Sequence, residues 1–226
     1  MYRLLKAGCI GFFTIAIPMS SVLAQTQEDA EVWTGVRLNK RITKNVLLRI
    51  RQEVRINDNI SSVKSAFVDA GVHYSLNKYL KVTGNYRYIS DGKGFYDHRY
   101  YTDLRFRYKI KPVIFSFRNR FQHEAQFTEK GIEQELLNRN KFQIAFDLDK
   151  KISPFVSTEL YYDYYKSTVN KLRYTIGLDM ELKNRMDLTL FYRLQREINV
   201  ANPTYSYILG VGYSYRIKGR LIKRKG

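Results

Sequence analysis

Three histidines and a scatter of serines are the residues of this chain whose types could support acid–base or nucleophilic catalysis. Serine-type hydrolysis needs a serine and a histidine within hydrogen-bond reach, and a carboxylate that orients the histidine. His73 lies four residues after Asp69, about 13 Å along an extended strand, which is too far for direct contact. His123 precedes Glu124, but neighbouring strand residues point to opposite faces. The spacing predicts no catalytic pair, so we expect a non-enzymatic protein; the roles of His73, His98 and His123 stay open.

Metal-binding and cofactor-binding patterns are also missing from the sequence. The single cysteine, Cys9, lies in the first 24 residues, and no two histidines have the spacing of metal ligands. The Asp91–Gly94 segment lacks the acidic repeat of a calcium loop. We therefore expect no metal and no cofactor.

Basic residues dominate the charge, with 39 Lys and Arg against 21 Asp and Glu and a formal net charge of +18. Such a balance could suggest nucleic acid, but the basic side chains alternate with apolar ones along strand-like segments, and acidic groups share their face. We expect no nucleic-acid partner. If these strand-like segments close into a barrel with the basic face inside, its arginines could instead give a narrow pore a weak anion preference. The candidate lumen cluster is Arg49, Arg51, Arg105, Arg107, Arg118 and Arg120.

The first segment is typical of a secretory signal peptide. Arg3 and Lys6 precede an apolar stretch from Ala7 to Pro18, and Val22 and Ala24 supply the short side chains of a cleavage site. An apolar stretch of about 12 residues is too short to span a membrane as a helix. The sequence predicts a signal peptide over 1–24 and a mature, cysteine-free single domain over 25–226.

From Val46 onward, apolar and polar residues alternate over about ten segments with the two-residue period of strands. One face carries residues such as Val68, Val72 and Ile176 and holds no charged side chain in any segment. The opposite face is dense in arginine, lysine, aspartate and glutamate. Since 27% of all residues are charged, an ordinary surface would not be free of charge along its whole extent.

The connections predict a meander of antiparallel hairpins, with short basic turns such as 76–80 alternating with longer polar loops such as 125–135. An apolar outer face and a charged inner face indicate an all-β, closed, antiparallel up-and-down transmembrane β-barrel. We expect about 10 strands, with 12 possible. Residues 25–44 form either a periplasmic lead-in or an extra strand, because Glu31 to Leu38 also alternates. The basic C-terminal tail, 217–226, is expected in the periplasm.

This interpretation places the protein in the outer membrane of a Gram-negative bacterium, with lipid as its partner and a monomer as the default state. Ten strands leave little free space inside, so general diffusion is not expected. The expected role is structural, surface interaction or a narrow, weakly anion-preferring pore. Two alternatives stay open: a lipid- or peptide-modifying enzyme at the extracellular rim, and a secreted soluble β-barrel whose apolar face points inward. The sequence names no solute, ligand or protein partner.

Three features together resemble a known family: the Glu31-Val32-Trp33 start, the recurring Leu-x-Lys turns, and Gln52-Glu53-Val54-Arg55. The chain is similar over nearly its whole mature length to small Gram-negative outer-membrane barrels catalogued as a domain of unknown function. The resemblance implies the same fold and location. It implies no catalytic residue.

Overall fold

The computed structural model describes residues 27–92, 94–129, 131–148 and 151–218. The alternating segments, rich in branched and aromatic residues, all form β-strands. The strands are β1 Gln27–Arg41, β2 Val46–Asn57, β3 Ser62–Ser75, β4 Leu80–Asp91, β5 Tyr96–Ile110, β6 Val113–Thr128, β7 Gly131–Phe146, β8 Ile152–Asp163, β9 Thr168–Glu181, β10 Met186–Glu197 and β11 Thr204–Ile217. Within this described part, no helix has the length and apolar character needed to cross a membrane.

The strands close into a barrel in which each strand pairs with its neighbours in sequence. Those pairs are antiparallel. The closing pair is different: β1 and β11 run parallel, in register from Gln27 opposite Thr204 to Lys40 opposite Ile217. Closure leaves no strand edge without a partner. The predicted fold class, an all-β closed up-and-down barrel, is confirmed.

The number of strands is eleven, between the ten and twelve considered from sequence. Glu31 to Leu38 lies inside β1 and is a strand, not a lead-in. An even number is required only when the closing pair is antiparallel, and here the parallel pair closes an odd number. As a result, β1 begins at one end of the barrel, here called the Gln27 rim, whereas β11 ends at the other, the Ile217 rim.

The expected contrast between short turns on one rim and long loops on the other is wrong. Connections at the Gln27 rim cover 58–61, 92–95, 129–130, 164–167 and 198–203, and those at the Ile217 rim cover 42–45, 76–79, 111–112, 147–151 and 182–185. The largest error is at 125–135, where Gln126 pairs with Glu133 and β6 continues to Thr128. This polar sequence resembled a loop because its inward positions hold polar side chains.

The predicted assignment of the two faces is confirmed. Outward side chains remain exposed even though they are apolar: Ile50 is 54% exposed, Ile176 57% and Leu209 57%. Inward charged side chains are buried, with Asp103 at 0% and Glu159 at 4%. This distribution is the reverse of a soluble barrel with an apolar centre. The alternative with the apolar face turned inward therefore does not describe this molecule.

One barrel accounts for the whole described chain, and its last strand ends at Ile217. The predicted signal peptide, 1–24, and the tail beyond residue 218 lie outside the described residues.

Candidate functional site in the barrel lumen

A buried glutamate joins four neighbouring strands inside the barrel. Glu159 on β8 accepts hydrogen bonds from Arg139 Nε at 3.0 Å and Nη2 at 2.8 Å, and from Arg118 Nη2 at 2.5 Å. Arg173 Nη1 lies 3.5 Å from the second carboxylate oxygen. The three arginines come from β7, β6 and β9. All four side chains point inward, and we call this group the Glu159 cluster. Because it combines three arginines with one glutamate, it places a net positive charge in the lumen.

Two aspartates organise a second set of arginines across β3 to β6. Asp103 is fully buried and accepts from Arg120 Nε at 2.6 Å and from Arg105 Nη2 at 2.5 Å. Asp69 accepts from Arg87 Nη2 at 2.7 Å and from the Tyr101 hydroxyl. Paired, hydrogen-bonded charges of this kind are the form in which ionised groups tolerate burial.

Aromatic rings contact several of the arginines inside the lumen. The guanidinium carbon of Arg87 lies 3.7 Å from the Phe67 ring centroid, and that of Arg120 lies 3.7 Å from the centroid of Tyr101. Arg55 lies 3.9 Å from the ring of Trp33, which is the only tryptophan in the sequence. Arginine stacks favourably on aromatic faces, so these rings fix where each guanidinium lies.

Four cavities lie in the lumen formed by the described residues. One, of about 470 Å³, is at the Ile217 rim and is lined by four acidic and two basic side chains, with Asp179 and Arg37 among them. A cavity of about 730 Å³, here called the rim cavity, opens at the Ile217 rim beside Lys78, and one of about 440 Å³ lies toward the Gln27 rim. Between them is a cavity of about 550 Å³, here called the central chamber. Arg105 and Arg107 line both the rim cavity and the central chamber, whereas Trp33 and Arg193 line both the chamber and the cavity beyond it.

The six arginines predicted as a lumen cluster all lie on the inner wall, but they do not form one group. Arg51 pairs with Glu53, Arg105 and Arg120 pair with Asp103, and Arg118 pairs with Glu159. Arg49 Nε donates to Asn39 Oδ1 at 2.8 Å. Arg107 has no ion-pair partner within the described residues and lines the central chamber. The inner basic charge is therefore partly neutralised and partly free.

The three histidines lie at separate places on the barrel wall, with His123 opposite Tyr100. His73 faces inward and is buried, and its Nε2 has no hydrogen-bond partner among the described residues. His98 Nδ1 lies 2.6 Å from the Tyr86 hydroxyl, beside Tyr88, Tyr96 and the other outward rings near the Gln27 rim. Across the described ranges, no group of three His, Cys, Asp or Glu is placed to hold a metal ion.

Two phenylalanines in the lumen were not predicted from sequence. Phe155 lies opposite Gly177, and Phe191 lies opposite Gly210, on paired strands of the inner wall. A Cβ atom at Gly210 would lie 1.9 Å from Phe191 Cζ, so the ring occupies the space left by the missing side chain. The alternation does place all four residues inward, but the strand register that pairs each ring with a glycine is not visible in the sequence.

We expect Gly210→Ala to lower the free energy of unfolding by about 1–3 kcal/mol, because the Phe191 ring must leave its place on the backbone. Gly212→Ala is the matched control on the same strand and face, where the added methyl would lie 3.7 Å from Thr189 Cβ, an ordinary contact. Urea titration of both purified variants would measure the difference. Equal stability of the two variants would contradict the packing of Phe191 described above.

Comparison with known proteins gives one family and two solved structures. The model of a family described as "Protein of unknown function (DUF2490)" matches residues 30–206, most of the chain. No match was found among curated proteins. The NanC porin is similar at 13% identity, a TM-score of 0.48, and 73% of this chain and 86% of that chain covered. The translocator domain of the autotransporter NalP from Neisseria meningitidis is similar at 14% identity, a TM-score of 0.44, and 69% and 70% covered. At these sequence identities and TM-scores, neither similarity indicates a function for this chain.

Proposed function

Because the chain belongs to the DUF2490 family, whose description assigns no activity, we propose a function from its own geometry. The protein is a non-enzymatic barrel of the Gram-negative outer membrane, and it provides a narrow passage with a weak preference for anions. The observation that carries this proposal is a belt of exposed apolar side chains around a largely basic lumen that contains four neighbouring cavities.

Membrane insertion is supported by the cost that this belt would have in water. Val68, Val72 and Leu209 are each about half exposed or more, and similar residues surround the barrel on every strand pair. Burying apolar surface is favourable by about 25 cal/mol per Å², so a continuous belt favours hydrocarbon as its surroundings. The closed sheet satisfies the strands' backbone hydrogen bonds, as lipid requires. Outer-membrane lipid is therefore the proposed partner, and a monomer the proposed state.

Anion preference is supported by the charges that line the cavities. The central chamber is lined by seven Lys and Arg side chains and two acidic ones, Glu53 and Asp179. The rim cavity is lined by Lys and Arg with no Asp or Glu among its described lining residues. Wall charges of one sign raise the local concentration of ions of the opposite sign. The preference is weak because the Gln27-side cavity also contains Asp97, Glu124 and Glu135, and because the cavity of about 470 Å³ at the Ile217 rim is lined by more acidic than basic side chains.

Planar-bilayer recording tests the passage directly. We expect purified mature protein to raise the ion conductance above that of empty lipid, and the reversal potential in a KCl gradient to take the sign set by chloride. Heat-dependent gel mobility of the same sample would show that the barrel is folded. A folded barrel that carries no current would contradict the pore and favour the structural or surface-interaction role, and a potassium-selective current would contradict the role of the basic wall.

A further inference from the structure

The central chamber contains four cations without a carboxylate partner. Arg37, Arg107, Lys141 and Arg193 line it, and none forms an ion pair with another described residue. Arg193 Nε donates only to Thr175 Oγ1, at 3.0 Å. A cation facing a confined space without a counter-charge is costly, so the chamber favours an anion as its occupant.

The acidic groups in the chamber supply only part of that counter-charge. Glu53 already binds both Arg51 and Arg55, with Arg55 Nε at 2.9 Å. Asp179 accepts a hydrogen bond from Thr189 Oγ1 at 2.5 Å, and its charge also acts on Arg37. With seven basic and two acidic side chains in its lining, the chamber keeps a net positive charge available to a solute.

Two guanidinium groups also present buried N–H groups that no described atom accepts. These are Arg37 Nε and Arg118 Nε, and both residues line the chamber. A buried donor without an acceptor costs about 1–3 kcal/mol, so these two guanidinium groups are incompletely paired by the protein. A planar guanidinium matches the two oxygens of a carboxylate.

One wall of the chamber is apolar and flat. Phe155 and Phe191 lie there against the backbone at Gly177 and Gly210, and both rings form part of the chamber lining. Arg193 Cζ lies 4.4 Å from the Phe191 centroid, which places a cation beside the ring. Cations next to aromatic rings suit a solute that combines a negative charge with a flat apolar part.

We infer that the central chamber is a binding site for small aromatic or unsaturated carboxylates, with the carboxylate among Arg37, Arg107 and Lys141 and the apolar part against Phe155 and Phe191. The inference rests on the proposed function, since solutes must be able to enter the lumen. The chamber volume of about 550 Å³ lies within the roughly 300–1,000 Å³ of small-molecule sites.

The fluorescence of Trp33 reports on binding, because Trp33 is the only tryptophan in the sequence and lines the chamber. We expect 4-nitrobenzoate to quench the fluorescence of folded mature protein in detergent in a saturable way. The neutral 4-nitrobenzamide has similar size and absorption but lacks the charge, so its affinity should be lower by at least about ten-fold. Equal quenching by the acid and the amide would overturn the inference.

A double substitution locates the site. We expect R107Q with K141Q to weaken nitrobenzoate binding by about ten-fold or more, because each removes a charge-assisted contact. Lys166→Gln is the matched control, an exposed lysine at the Gln27 rim, and should leave binding unchanged. Unchanged binding in the double variant, with folding verified by heat-dependent gel mobility, would overturn the inference.

Current recording separates this inference from the proposed pore. Conductance that nitrobenzoate reduces and the amide leaves unchanged would support both. Conductance without saturable Trp33 quenching would leave the pore in place and overturn the binding site. Saturable quenching in a folded barrel without conductance would support the binding site and overturn the pore.

Discussion

Replacing Ile176 with arginine is expected to destabilise the folded protein in lipid vesicles by about 2–4 kcal/mol, the cost of a cation on the lipid face near the middle of a barrel. Ile176 lies near the middle of β9 and is 57% exposed. In water, a substitution at so exposed a position changes stability by no more than about 0.5 kcal/mol. Urea unfolding of vesicle-inserted protein, followed by Trp33 fluorescence, would measure the effect.

Val200→Arg is the matched control for this experiment. Val200 is 41% exposed and lies in the connection between β10 and β11, outside the strands. We expect this variant to unfold at the wild-type urea concentration. If Ile176→Arg were as stable as Val200→Arg, the apolar belt would not be in hydrocarbon, and the proposed location would be wrong.

Glu159→Gln is expected to have the other large effect, a loss of about 3–5 kcal/mol of folding free energy, because it leaves buried cations without their carboxylate. Arg118, Arg139 and Arg173 all point at this one side chain. Glutamine keeps the shape of glutamate, so the change isolates the charge. Urea unfolding measures the stability.

The same variant has an electrical consequence. Loss of one negative charge makes the lumen more basic, so the KCl reversal potential should move further toward that of chloride. Glu28→Gln is the control, because Glu28 lies at an exposed position on the outward-facing side of β1, where it accepts only a long hydrogen bond from the Tyr207 hydroxyl at 3.4 Å. Equal stability and equal reversal potentials in the two variants would contradict the role of the Glu159 cluster.

The arrangement of charges inside the barrel could be predicted only in part. Alternation places Glu159, Arg139 and Arg118 on the inner face, and the structure confirms this. Which arginine meets which carboxylate depends on strand register and on which strands are neighbours around the barrel. The sequence therefore predicts one cluster of six arginines, whereas the structure divides them among three acidic groups, one asparagine and a cavity.

The lengths of the connections and the number of strands also could not be predicted fully from the local sequence. The sequence predicts a loop at 125–135, because loops and the polar inward-facing ends of strands have similar compositions. In the structure this stretch is paired, with His123 opposite Leu136 and Gln126 opposite Glu133, and this pairing depends on the contact between β6 and β7. The parallel contact between β1 and β11 joins residues at the two ends of the chain, and no local pattern encodes it.

The sequence by itself determined that the chain forms strands and which side of each strand is apolar, because side-chain direction alternates with every residue and needs no partner strand. Tertiary structure decided that eleven strands close through a parallel pair, that Phe155 and Phe191 lie over glycines, and that four cations face the central chamber without carboxylates. These features depend on contacts between residues far apart in sequence. Such contacts are fixed by barrel closure and register, which are properties of the whole sheet.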